Sequence, residues 1–173
     1  VILPVAYIFL ISAEYRAKRI LGFLNPWEHS SDAGYQVVHS LMAFGTGGFW
    51  GTGIGKGYQK MFYLPEPHTE LILAVIGDEL GLLGVLIIIG LYGWIIIRGS
   101  AIARSAPDLF GAYLAEGLTI AMGLQLVVNM GVALGLLPTK GLTLPLLSYG
   151  GTSLLLNMAS IGILMNISAS KTK

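Results

Sequence analysis

The sequence predicts an all-α membrane protein, a polytopic helical bundle of about four transmembrane helices, from three observations. Hydrophobic residues make up 54% of the 173-residue chain and charged residues only 11%. Soluble domains carry roughly a quarter charged residues, so this chain lacks the means to clothe a water-facing surface. Mean hydropathy is +0.75, and the apolar residues fall in runs long enough to cross about 30 Å of hydrocarbon rather than in short periodic stretches. Absence of cysteine excludes a disulfide framework, thiol catalysis and cysteine metal sites. A net charge of +1 argues against a nucleic-acid partner.

The whole of 1–173 is expected to be one transmembrane domain. Its first element, 1–20, opens inside an apolar run at Val1, with no charged segment before it and no small-residue cleavage site after it. That pattern is a transmembrane helix cut at its start rather than a signal peptide, so the chain is expected to be a fragment. The run stops at Glu14-Tyr15-Arg16-Ala17-Lys18-Arg19. A connection over 21–70 follows, too long for a structureless loop and therefore expected to be functional. Its stretch Val37–Trp50 reads as a short interfacial or re-entrant helix. Further spans are expected at 71–97, 117–137 and 144–167. Ser105-Ala106-Pro107-Asp108 reads as a helix start with Ser as the cap, and Leu137–Thr143 as a tight Pro/Gly loop. The positive-inside rule places the long connection weakly in the cytoplasm, because Arg16, Lys18, Arg19, Lys56, Lys60 and Lys140 outnumber the cations on the other side. That rule loses force in long loops.

Several stretches carry chemistry, each with a structural alternative. Gly45–Gly57 is rich in glycine, but no GxGxxG occurs and Gly55-Lys56 is followed by Gly57, so it is not a phosphate loop. Close backbone approach is the main reading; amides offered to a lipid-linked phosphate are the other. In Tyr63-Leu64-Pro65-Glu66-Pro67-His68-Thr69-Glu70, two prolines fix an extended turn just before a span. A carboxylate there can serve as a general base, or the stretch can simply cap the helix. Asp78 and Glu79 are either functional charges inside a span or interfacial ones, if the span begins at Leu80. Gln125 and Asn129, four apart on one face, read as interhelical hydrogen-bonding residues. Lys140, between Pro138 and Pro145, can grip a phosphate or snorkel to headgroups. Ser148-Tyr149-Gly150-Gly151-Thr152-Ser153 is too polar to face lipid and suggests a cavity lining.

Taken in order, Phe23-Leu24-Asn25-Pro26-Trp27, Gly34-Tyr35-Gln36, the glycine-rich turn, Gln59-Lys60, Tyr63–Thr69, Gly77-Asp78-Glu79-Leu80-Gly81, Leu137-Pro138-Thr139-Lys140-Gly141 and Ser148-Tyr149-Gly150-Gly151 resemble the SEDS (shape, elongation, division and sporulation) family along essentially the whole chain. Pro138–Thr143 looks like its FtsW and SpoVE branch rather than the RodA branch.

The resemblance implies a ten-helix fold, of which this chain would hold helices seven to ten. The long connection would then lie outside the cytoplasm of a bacterial inner membrane, at the division septum. It also implies polymerisation of lipid II into glycan strands, with the family's His-Thr-Asp carboxylate as general base. The matching residue here is Glu70. Lys140, His68, Thr69, Gln59, Lys60 and Ser148 would bind substrate, while Glu79, Asp78, Pro65, Gly150 and Gly151 would shape the cavity. A divalent cation, Mg or Mn, would share the charge of the pyrophosphate leaving group with Lys140. Expected partners are lipid II, a class B penicillin-binding protein, other divisome proteins and membrane lipids. The fragment alone is expected to be inactive. A lipid II transporter and a non-catalytic scaffold for the penicillin-binding protein are the competing functions.

Overall fold

The computed structural model describes residues 14–32, 34–57, 71–139 and 141–170. The span expected over Val1–Ala13 lies outside them. Among the described residues all helices are α: α1 (Glu14–Leu24), α2 (Tyr35–Gly47), α3 (Ile72–Arg104), α4 (Leu109–Ala133) and α5 (Gly151–Ser170). Of these, α3, α4 and α5 are long and apolar enough to cross a membrane.

The centre of the fold is the antiparallel hairpin of α3 and α4. Its core steps along both helices. Leu73 and Val85 of α3 share a cluster with Ala133 of α4, Tyr92 with Leu126, and Ala103 with Ala115. Small residues set the closeness of approach: a Cβ on Gly99 would collide with the Thr119 side chain, which is how helices associate where lipid offers no hydrophobic drive. Ser100 Oγ donates to Glu116 Oε1 at 3.2 Å across the same seam. The outward faces of the hairpin keep Leu82, Leu86, Ile87, Leu91, Trp94, Ile97, Leu124 and Val127 exposed, as lipid-facing surface requires.

At the hairpin's turn the cap differs from the sequence expectation. Asp108, not Ser105, is the N-cap of α4: its backbone is extended (φ −132°, ψ 157°) and its carboxylate accepts from the Gly111 N–H at 2.9 Å. The Ser105 hydroxyl instead points back to the Ala101 and Ile102 carbonyls and closes α3.

The short helix α2 lies at the opposite end of the hairpin. It buries Val37, Val38 and Ala43, packs Ala43 against Leu71 and Ala74 at the start of α3, and donates from Ser40 Oγ to the Ala133 carbonyl at 2.6 Å. It stops at Gly47, short of Trp50, because Gly48 takes φ +55°, a backbone state that glycine adopts without a Cβ penalty. α5 buries only Asn157 and Leu164 among the described residues.

Candidate functional site

The 33 residues of α3 would run about 50 Å as one straight helix, well beyond the hydrocarbon thickness. The helix is broken at Gly81, where φ is +66° and ψ −164°. The long piece after the break, about 23 residues, is about 35 Å and suits a span. The short piece before it, Ile72 to Leu80, is a separate unit, and the glycine-rich loop after α2 is spliced into the gap between the two.

The splice is a set of exchanged backbone hydrogen bonds. Carbonyls of Asp78 and Glu79, deprived of helical donors, accept from the N–H groups of Thr52 at 2.9 Å and Gly53 at 3.0 Å. Beyond the break, the Leu82 N–H donates to Gly48 O at 2.9 Å and the Leu83 N–H to Phe49 O at 3.4 Å. Irregular backbone beside a membrane span is tolerated only where protein satisfies its polar groups, and here the loop does so. The glycines follow from proximity. A Cβ on Gly51 would strike the Glu79 carbonyl, one on Gly81 the backbone of Gly51 and Phe49, and one on Gly47 the Gly77 carbonyl. Close backbone approach is thus the role of this stretch.

Asp78 sits at the centre of the splice with 0% exposure. Its Oδ1 accepts from Thr46 Oγ1 at 2.7 Å, its carbonyl from the Thr52 hydroxyl at 2.9 Å, and its Oδ2 lies 2.9 Å from where a Gly57 Cβ would be. The break at Gly81 agrees with a span that begins near Leu80: Asp78 lies in the short piece before the membrane-length helix, where its carboxylate is buried and bonded. A buried ionisable group needs such partners to offset its desolvation.

The second half of the site is the segment between α4 and α5. Gly135, at φ +68°, ends α4, and the Leu136 and Leu137 N–H groups return to the Gly131 carbonyl at 2.7 and 3.0 Å. Among the described residues the chain then runs without helix to Gly150, pinned by side chains from the hairpin. Asn129 Nδ2 donates to Leu142 O and Gln125 Nε2 to Thr143 O, each at 2.8 Å. The Tyr92 hydroxyl donates to Pro145 O. Gln125 and Asn129 therefore bond to a loop's backbone rather than to another helix, since the adjacent carbonyls of an irregular segment need donors more than a neighbouring helix does. Within the segment, Ser148 Oγ accepts from the Leu144 N–H at 2.8 Å, and Thr143 Oγ1 donates to Ser153 Oγ at 2.8 Å. Leu146 adopts φ +65°, a strained state for a non-glycine residue.

A cavity of about 400 Å³ lies against this second half, lined by Ile72 at the start of α3 and by Leu146, Leu147, Ser148, Tyr149, Gly150, Gly151 and Leu154. Ser148, Gly150 and Gly151 thus line one cavity, while Asp78 and Glu79 lie in the splice instead. Glu70, His68, Thr69, Pro65, Gln59, Lys60 and Lys140 lie outside the described residues. Their described neighbours in sequence bracket the site. Gly57 abuts Asp78 and Glu79, Leu71 is buried against Ala43 and Ala74, and Ile72 is in the cavity wall. Thr139, next to Lys140, accepts at its carbonyl from Arg19 Nη1 of α1 at 3.3 Å. Among the described residues no three His, Asp or Glu side chains gather closely enough to hold a metal ion. Thr46, Thr52 and Tyr92 are the structural participants that sequence reasoning passed over. Tyr92 carried a usable signal, since a tyrosine hydroxyl inside a span needs a partner; Thr46 and Thr52 carried none apart from the glycines around them.

A helical membrane protein with a broken apolar helix spliced to a glycine-rich loop, and a pinned loop that lines a cavity, is the class that this architecture defines. The chain belongs to the FtsW/RodA/SpoVE family: all of 1–173 matches the family model described as cell cycle protein. It is 50% identical over 166 residues to a probable peptidoglycan glycosyltransferase FtsW of Geobacter metallireducens, covering 96% of this chain and 44% of the relative. Similarity to the probable FtsW of Coxiella burnetii is 49% over 160 residues, 91% of this chain and 43% of the relative. The chain thus spans less than half the length of these relatives. Among solved structures, a chain from a study of polymerization and crosslinking by a peptidoglycan synthase complex superposes over 99% of this chain and 46% of its own length, with a TM-score of 0.75 and 32% identity. The rod shape determining protein RodA of Thermus thermophilus matches 61% of this chain and 35% of its own length, with a TM-score of 0.57 and 40% identity.

Proposed function

We propose that the protein of which this chain is part is a peptidoglycan glycosyltransferase that polymerises lipid II into glycan strands during bacterial cell division. One observation supports this reading above the others. The start of α3, two residues after Glu70, and the pinned loop that carries Ser148 and flanks Lys140 converge on the same cavity. The reading takes Glu70 and Lys140, which lie outside the described residues, as the base and the phosphate-gripping lysine that act there.

In this mechanism Glu70 removes the proton of the acceptor sugar's 4-hydroxyl. The oxygen attacks the donor's anomeric carbon, the bond to undecaprenyl pyrophosphate breaks, and the configuration inverts. Lys140 neutralises charge that develops on the leaving pyrophosphate. His68, Thr69, Gln59, Lys60 and Ser148 contact substrate, and Pro65 fixes the turn that leads to Glu70. Glu70 stands where the family motif has Asp, so its carboxylate reaches about one bond further. An error of order 1 Å can cost ~100-fold in rate, which makes Glu70 against Glu70→Asp the informative comparison.

A divalent cation is the other expected source of positive charge. The described acidic residues do not fit one, because Asp78 is buried and engaged by Thr46, and no step is routed through a metal. The protein would reside in the bacterial inner membrane at the septum and work with a class B penicillin-binding protein and other divisome proteins.

The test is lipid II polymerisation by the full-length protein with its partner, comparing Glu70, Glu70→Asp and Glu70→Gln. Activity with Glu and none with Gln is the expected result. Equal inactivity of Glu and Gln, with restoration only by Asp, would move the function to a scaffold for the penicillin-binding protein or a lipid II transporter.

A further inference from the structure

We propose that the groove between α3 and α5, near the membrane surface opposite the splice, binds an anionic phospholipid: one acyl chain lies in the groove and the headgroup phosphate sits on Arg98. The groove shares no residue with the cavity beside Ser148.

The groove has a volume of about 330 Å³, within the range of sites that take small apolar ligands. On α3 its wall is Trp94, Arg98 and Ile102, spaced four apart and so stacked on one helix face. On α5 it is Ile161, Leu164 and Met165. The helices are held together here by Leu164, which packs with Ala103 of α3 and Ala115 of α4. Trp94 and Met165 stay exposed on the two sides, so the groove opens outward between them. Both helices are long and apolar enough to cross a membrane. What stands beside such a groove is the bilayer, and water does not settle in an apolar space without polar partners. An acyl chain is the molecule that fills it.

The polar end of the site comes from depth and charge. Arg98 lies about 26 Å of helix beyond the break at Gly81, close to the ~30 Å thickness of the hydrocarbon. With the break near one membrane surface, Arg98 is near the other. There its guanidinium reaches the headgroups while its stem follows the apolar wall. Trp94, one turn back, stands at the depth where tryptophan anchors a span. Arg104, also exposed, ends α3 on the same side. The carboxylates nearest in sequence are engaged elsewhere: Asp108 accepts from the Gly111 N–H and Glu116 from Ser100 Oγ. Among the described residues no carboxylate pairs with Arg98 or Arg104, and both remain for an anion from outside the chain. A guanidinium fork matches phosphate oxygens, and basic pockets between membrane helices select anionic headgroups. Free phosphate would leave the apolar groove unfilled, so the occupant is a lipid.

The experiment uses the full-length protein in phosphatidylcholine nanodiscs at low salt. A trace of phosphatidylglycerol with a photoreactive diazirine in its acyl chain is added, with phosphatidylcholine carrying the same chain as the control, and labelled peptides are mapped by mass spectrometry. The expected result is labelling within 94–102 and 161–165, about fivefold stronger for phosphatidylglycerol. Arg98→Gln should bring it down to the phosphatidylcholine level, and Arg98→Lys should keep most of the preference. Ile161→Trp, which fills the groove, should lower labelling by both probes. Equal labelling by the two probes overturns the inference, as does a preference that survives in Arg98→Gln. So does labelling confined to the exposed face at Leu86 and Ile87, which would mean that another part of the protein or a second copy covers the groove. The probe comparison and the map need only the unsubstituted protein, so they decide the matter even if a variant fails to fold.

Discussion

Substitution of Gly81 by Ala tests the splice at its least forgiving point. Two costs can be worked out from the structure. With φ +66° and ψ −164°, the residue occupies a region that is essentially reserved for glycine, and an alanine held there carries about 1–3 kcal/mol of strain. Its Cβ would also press on Gly51 N and on the Phe49 carbonyl group, its C and O each 2.7 Å away. Those atoms are backbone and already hydrogen-bonded, the Gly51 N–H to the Gly47 carbonyl and Phe49 O to the Leu83 N–H, so they cannot swing aside, and overpacking of this kind costs about 1–3 kcal/mol more. The total is about 2–6 kcal/mol, a large part of the ~5–15 kcal/mol that holds a typical domain together. Gly90, further along the same helix, is the control. A Cβ there meets nothing within 4 Å, so Gly90→Ala should be neutral or gain about 0.5–1 kcal/mol from helix propensity. The assay is reversible unfolding of the full-length protein in mixed micelles, with membrane abundance as a second measure. If Gly81→Ala unfolds within 1 kcal/mol of Gly90→Ala, the break is not the constraint described here and the loop does not depend on it.

Removal of the amide donors that pin the loop should loosen the cavity wall. Gln125→Leu and Asn129→Leu are each expected to destabilise by about 1–3 kcal/mol through a carbonyl left without its donor, read as a lower melting temperature in detergent. Because the two donors serve adjacent carbonyls, Leu142 and Thr143, the double variant should deviate from additivity by at least 0.5 kcal/mol; strict additivity would mean that the loop is not pinned as one unit. Ser148→Ala should cost about 1–2 kcal/mol, because the buried Leu144 N–H loses its acceptor. A fall in polymerisation beyond what the loss of folded protein accounts for would add a contact with substrate to that structural role.

Much of this protein was legible in the chain itself. Composition and apolar runs determined an all-helical membrane protein, because hydrocarbon leaves a spanning backbone almost no other way to satisfy its hydrogen bonds. The glycine-rich stretch 45–57 announced close backbone approach, and the polar patch from Ser148 announced a cavity lining, because neither glycine-rich loop nor hydroxyl cluster is stable against lipid. The cap at Asp108 was misread as Ser105, a difference of local φ and ψ that propensity does not resolve between two good capping residues. Gln125 and Asn129 were recognised as a shared polar face, but their partners were assigned to another helix. What covers a polar face depends on which segment folds back onto it, and the spacing of residues within one helix carries no record of that. The break at Gly81 was hidden for the same reason. Leu71–Ile97 reads as one span with Asp78 and Glu79 near its beginning and a few glycines, and only the loop from 48 to 53, more than twenty-five residues away in sequence, supplies the hydrogen bonds that make the break affordable. Residue chemistry set what each stretch required; long-range pairing in the folded chain decided which stretch met the requirement, and so placed Asp78 in the splice and Ser148 at the cavity.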